Sequence, residues 1–153
     1  MAKVKTRLAE ARDLDAVAAL FDAYRQFYEM PADLALARRY LDDRFQRRES
    51  VILVAEDASG ALVGFTQLYP AFCSVIADRT FVLYDLFVTP AARGTGAGRA
   101  LMEAAEAHAR SAGAARLTLE TAKTNMIGQA LYESCGWTRD ELFYVYSRNL
   151  KAP

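Results

Sequence analysis

Phe81-Val82-Leu83-Tyr84-Asp85-Leu86-Phe87-Val88, followed after a short spacer by Arg93-Gly94-Thr95-Gly96-Ala97-Gly98, decides how this chain folds. The first stretch is apolar almost throughout, which predicts a strand covered on both faces. The second sets three glycines on alternate positions just ahead of a helical pattern, Arg99 to Ala112. At the start of such a helix the backbone N–H groups have no partner within the helix. Small residues keep side chains away from them, so a phosphate or pyrophosphate can seat there, and Arg93 adds a positive charge. The spacing G-x-G-x-G is not the dinucleotide fingerprint, and no Lys follows as in a Walker loop. Taken alone, such a loop also serves as a tight strand-to-helix connection.

Outward from this unit, Val4 to Ala9 reads as a first strand. Asp13 is the expected N-cap of a helix carrying Leu14, Val17, Phe21, Tyr24 and Tyr28 on one face, ended by Pro31. Leu34 to Arg48 reads as a second helix with a solvated charged face. Val51–Glu56 and Ala61–Tyr69 predict a hairpin around Asp57-Ala58-Ser59-Gly60, with Pro70 stopping the return strand. Ala71 to Arg79 reads as a loop or a ragged edge. Arg116 to Thr121 predicts a strand, Asn125 to Cys135 a helix closed by Gly136, and Glu141 to Leu150 a final strand. This order of elements predicts an α/β (α+β) fold, a mixed sheet with helices on both faces.

At 153 residues and 53% hydrophobic content, a single domain spanning 1–153 is expected. Lys+Arg and Asp+Glu are both 19, so no global attraction to nucleic acid or to an anionic membrane follows. No apolar run approaches the ~20 residues of a membrane span, and the first residues lack the apolar core of a signal peptide. Two cysteines, Cys73 and Cys135, are too few for a disulfide scaffold, so a reducing cytoplasm is the expected compartment. With a single His beside them, no metal site is expected.

Two blocks carry a family resemblance. Arg93-x-x-Gly96-x-Gly98, after Asp85-Leu86-Phe87-Val88-x-Pro90, resembles the acyl-CoA-binding segment of the GNAT superfamily of N-acetyltransferases. Asn125-x-x-x-x-Ala130-Leu131-Tyr132-x-x-x-Gly136-Trp137 resembles that family's second CoA segment. The resemblance runs from about Val4 to Leu150 and is strongest from Leu83 to Trp137. It implies a GNAT-like, mostly antiparallel central sheet of six to seven strands, acetyl-CoA as co-substrate, and a homodimer.

The resemblance also implies roles. Arg93, Gly94, Thr95, Gly96, Ala97, Gly98 and Arg99 would hold the pyrophosphate. The backbone of Leu86, Phe87 and Val88, where the central strand splays from its neighbour, would meet the pantetheine and the thioester oxygen as an oxyanion-type donor. Asn125 is a candidate partner for the pantetheine arm, or simply a helix cap. Tyr132 would face the sulfur. A phenol at pKa ~10 donates a hydrogen bond to a thiolate of pKa ~8.5, while full proton transfer is uphill by about 2 kcal/mol.

A lysine-like amine has pKa ~10.4 and must lose a proton before it attacks. Tyr84-Asp85-Leu86-Phe87-Val88 resembles the polyamine- and histone-type branch, in which an acidic pair often precedes the strand end. Here Tyr84 stands where the first acid would be. Asp85 is therefore the base, or it orients a cationic substrate while Glu120 or a water chain takes the proton, or it is a structural carboxylate. In that branch the end of the first helix lines the acceptor groove. Tyr24, Tyr28 and Glu29, with Tyr84, suit an alkylammonium through cation–π and charge contacts, whereas Phe27 reads as core. His108 reads as a surface or partly buried residue. No activating neighbour of Cys135 is visible, so direct attack in a ternary complex is expected. The expected activity is acetyl-CoA-dependent N-acetylation of a primary amine: a small cation such as a polyamine, or an amino acid or protein amine. The alternative is a non-catalytic acyl-CoA-binding or regulatory module.

Overall fold

The computed structural model describes residues 4–152. β1 (Lys5–Leu8), β2 (Val51–Glu56), β3 (Leu62–Cys73) and β4 (Asp78–Val88) lie side by side and antiparallel, and β5 (Arg116–Thr118) joins β4 in parallel. Helices α1 (Leu14–Phe27) and α2 (Leu34–Gln46) cover one face, and α3 (Ala97–Ser111) and α4 (Met126–Ser134) the other. Each face has its own core. Val17, Phe21 and Leu41 pack on Val54, Phe65 and Phe87. Leu101, Met102 and Ala105 pack on Leu53, Leu68, Phe81 and Leu83. Each large apolar side chain buried this way stabilises the fold by ~1.5–3 kcal/mol.

β4 carries the feature that shapes the site. Gln67 pairs with Asp85, yet the next residue, Leu68, pairs with Leu83. Tyr84 is thus an extra residue on β4, a β-bulge. Side chains alternate across a strand, so one inserted residue switches faces from there onward. Phe81 and Leu83 accordingly point to the α3 side, while Phe87, an even number of positions later, points to the α1 side.

Several expectations are corrected. The sheet has five strands among the described residues, not six to seven. Residues 141–150 form no strand and pair with no other strand among the described residues. β3 runs through Pro70 to Cys73, and residues 71–79 complete a long hairpin with β4. Pro70 is tolerated because β2 already ends opposite Leu68, so the missing N–H faces no neighbour on that side. Asp13 stands at the N-cap position of α1, but its side chain makes no capping bond to that helix. Its carboxylate instead accepts the Glu10 N–H at 2.7 Å and holds Arg7 at 2.6 and 3.0 Å. Helix α1 stops at Phe27, ahead of Pro31, and Glu29 follows in the left-handed region at φ 62°.

Candidate active site

β5 pairs with β4 only from Thr80 to Val82. Beyond that point the strands part. A cavity of about 700 Å³ opens between them, with Leu86, Phe87 and Val88 on one wall and Leu119 and Glu120 on the other. One end reaches Arg93, Gly94, Gly96, Gly98 and Arg99. The other reaches Tyr24, Phe27, Tyr28 and Tyr84, and α4 contributes Asn125, Gly128, Leu131 and Tyr132.

The glycine loop has the geometry that its sequence predicts. Gly94 and Gly96 adopt φ 76° and 90°, a region that side chains penalise. Gly96 is the N-cap of α3. The N–H groups of Ala97, Gly98 and Arg99 meet no protein acceptor among the described residues, whereas Ala100 N–H already bonds to Gly96 O at 3.0 Å. A β-carbon on Gly98 would stand 3.2 Å from Leu131, so the glycine also lets α3 and α4 approach closely. Arg93 donates to Val88 O at 3.1 Å and lies over the Phe87 ring. Free amides at a helix start beside an arginine fit a pyrophosphate, and the apolar walls beyond fit a thin, uncharged pantetheine arm. Coenzyme A matches this donor set.

Other predicted residues serve differently. Thr95 and Ala97 lie off the cavity wall: the Thr95 hydroxyl donates to Ala92 O at 2.6 Å, and Ala97 is buried. Arg99 lines the cavity, but its guanidinium reaches across to Ser134 Oγ at 2.8 Å and stands 3.6 Å from Cys135 Sγ. Asn125 caps α4, accepting from Gly128 N–H at 3.1 Å and donating to Thr121 Oγ1 at 3.0 Å. Glu29 is exposed and lies off the wall. Phe27, read as core, is exposed instead and lines the cavity. His108 is partly buried, edge-on to Phe81.

Asp85 is 3% exposed and lies behind the cavity rather than on its wall. Gln67 Nε2 donates to its Oδ2 at 2.5 Å, and Ser50 Oγ in turn donates to Gln67 Oε1 at 2.8 Å. Burial pushes the Asp85 carboxyl up to about 6, partly opposed by the hydrogen bonds from Gln67 and Tyr24. The Tyr24 hydroxyl also donates to Tyr84 O at 3.0 Å, so it links the bulge to the carboxylate. Burial first, and then the Asp85 charge, push the Tyr24 phenol well above its ordinary value. Burial likewise raises Tyr132, with the Thr121 hydroxyl opposing. Both phenols are therefore donors at neutral pH.

The sequence reading missed Gln67, Ser50 and Thr121. Gln67 had a visible signal, since a lone amide inside an apolar strand needs a buried partner. Thr121 had none.

Residues 17–137 match the acetyltransferase (GNAT) family. The uncharacterized N-acetyltransferase YhfO of Bacillus subtilis (strain 168) is 45% identical over 146 residues, which is 95% of this chain and 97% of that one. A probable acetyltransferase of Haemophilus influenzae is 30% identical over 115 residues, 75% of this chain and 79% of that one. The crystal structure of another probable acetyltransferase shares the fold with a TM-score of 0.90 at 35% identity, covering 97% of this chain and 99% of that one. The fold and cleft define an acyl-CoA-dependent transferase. The chain belongs to the GNAT family, and the protein is an N-acetyltransferase that uses acetyl-CoA. The likeness reaches the family and not a polyamine- or histone-type branch within it.

Proposed function

We propose that the acceptor is the primary amine of a small cation, such as a polyamine, and that it attacks the thioester directly in a ternary complex. One observation carries this reading. The cleft that begins at bare amides ends at Tyr24, Tyr28 and Tyr84, with Glu120 on the wall opposite β4. Aromatic faces plus one carboxylate attract an alkylammonium by cation–π and charge contacts. A neutral or anionic acceptor gains little from either.

Within this reading the chain's residues divide the work. The amides of Ala97, Gly98 and Arg99, with Arg93, hold the pyrophosphate. Bound acetyl-CoA supplies an activated acyl carbon. Backbone N–H groups at the end of β4, around Leu86 to Val88, face the charge that develops on the acyl oxygen. Tyr132, kept protonated by burial, donates a hydrogen bond toward the departing sulfur. Glu120 is the carboxylate on the wall, so it receives the cation and takes up its proton, directly or through water. Asp85 acts through Tyr24 as a positioning residue, because it is sealed from the cavity.

Thiol release from acetyl-CoA, followed with a panel of amines, tests the proposal. A linear diamine is expected to turn over with a higher kcat/KM than a neutral amino-acid amide or a peptide N-terminus. Equal turnover of charged and neutral amines would remove the cationic reading. No turnover with any amine, in protein that binds coenzyme A, would remove amine acetylation itself.

A further inference from the structure

Three carboxylates are buried among the described residues: Asp13, Asp22 and Asp85. Arg7 answers the first, and Gln67 the third. Asp22, in α1 and 8% exposed, has no part in the chemistry above. Taking a carboxylate out of water is costly, and an apolar residue would pack at that place without the cost. What Asp22 does there, and an apolar residue could not, is hold the chain between α1 and α2. Its Oδ1 accepts the N–H of Asp33 at 2.9 Å, and its Oδ2 accepts Gln26 Nε2 at 3.2 Å. The Arg25 guanidinium, mostly buried as well, stands 3.7 Å away.

The segment held in this way carries the acceptor end of the cleft. Helix α1 ends in a Schellman turn, with Glu29 N–H bonded to Gln26 O at 2.9 Å and Met30 N–H to Arg25 O at 3.1 Å. Such a turn favours glycine at its left-handed position, and here Glu29 occupies it at φ 62°. A side chain stays in that region only where its surroundings hold it. The turn bonds secure the near end. The bond from Asp33 to Asp22 secures the far end, at the residue whose own carboxylate caps α2 by accepting Leu36 N–H at 2.9 Å. Tyr28 lies inside this clamp. Its ring is edge-on to Tyr24 at 5.1 Å and to Phe27 at 5.2 Å, and all three line the cleft.

We propose that Asp22 is a positioning residue for the amine: by anchoring Asp33 it fixes the turn that sets Tyr28 against Tyr24 and Phe27, and so fixes the shape of the acceptor end. The proposal rests on the reading that the acceptor amine occupies that end. An N–H bonded to a carboxylate is roughly twice as strong as a neutral pair, so the anchor outweighs either turn bond. Asp22 lies off the cleft wall, and the pyrophosphate seat is at the opposite end. Its effect therefore falls on the amine and not on acetyl-CoA.

Hydrogen exchange of the unaltered protein, followed by NMR, reads the anchor without any substrate. After correction for intrinsic rates, Asp33 N–H is expected to exchange ~10-fold or more slowly than Ala32 N–H, which meets no acceptor among the described residues. Steady-state thiol release reads the consequence. Asp22→Ala is expected to raise KM for a linear diamine ~10-fold, as for the loss of one hydrogen bond to a charged group, and to leave KM for acetyl-CoA unchanged. Asp22→Asn keeps an oxygen for the Asp33 N–H and is expected to recover most of that loss. Because Asp22 works through Tyr28, adding Asp22→Ala to Tyr28→Ala is expected to raise the amine KM no further. Equal exchange at Ala32 and Asp33 would overturn the proposal. So would an unchanged amine KM in Asp22→Ala, a rise for both substrates alike, or additive effects in the double variant. Absence of turnover with any amine would remove the acceptor reading and the proposal with it, and a protected Asp33 N–H tells that failure apart from a failure of the anchor.

Discussion

Asp85→Asn separates the cost of burying a charge from every other role of that residue. The carboxyl is buried beside Gln67 and Tyr24 and rises from its ordinary 3.8 to about 6. The folded chain therefore holds the proton more tightly than the unfolded chain. Between pH 3.8 and 6 it carries more protons than the unfolded chain, so stability falls as pH rises through that window and stays lower above it. At 1.36 kcal/mol per pH unit, the effect of this one group is about 3 kcal/mol. Asn keeps the shape and can still present an oxygen to Gln67, but it does not titrate. Urea unfolding of both proteins from pH 3.5 to 7.5 reads the difference directly, because all other groups cancel in the comparison. The variant is expected to gain about 3 kcal/mol on the wild type between the ends of that range. With m near 1–3 kcal/mol/M, this is a relative midpoint shift of roughly 1–3 M. A difference that does not change with pH, or one that shrinks as pH rises, would refute the reasoning. It would mean that the hydrogen bonds from Gln67 and Tyr24 outweigh desolvation.

Other outcomes follow from the same geometry. Tyr132→Phe is expected to lower kcat by ~10-fold or more, within the usual range for proton donors, while calorimetry shows coenzyme A affinity little changed. Gly96→Val forces a β-branched residue to φ 90° at the start of α3, and thermal unfolding should show a loss of ~1–2 kcal/mol along with weaker coenzyme A binding. Glu120→Gln is expected to raise KM for a linear diamine and leave KM for a neutral amine unchanged, as steady-state thiol release would show. Arg7→Met strands the buried Asp13 carboxylate and should cost ~2–4 kcal/mol at neutral pH. The Arg7 hydrogen bond holds Asp13 below its ordinary 3.8, so this difference is present above that pH and fades as the pH falls through the lower folded value.

Sequence made most of the elements legible, because their apolar periods are strong. The two helices after the first strand, the β2–β3 hairpin, α3 and α4 all fall within a few residues of their predicted ranges. The glycine loop was legible for a local reason: backbone conformation and helix starts leave marks in adjacent residues. What failed was non-local. Alternation at 141–150 shows that the segment can be a strand, yet it pairs with no strand among the described residues. Pro70 reads as a stop only until β2 is known to end opposite Leu68. The cleft residues Tyr24, Tyr28, Tyr84, Glu120 and Tyr132 were all anticipated, and the structure brings them to one cavity. Asp85 was anticipated without its setting, since burial behind the wall depends on the bulge and on Gln67 across the strand.

Residue 84 works as a parity bit for its strand. Substituting it changes one aromatic surface; deleting it would turn everything downstream inside out. Phe87 would leave Phe65 and Phe21 for the company of α3, and Asp85 would lose both of its donors. The register of this strand therefore depends less on what stands at 84 than on whether something does.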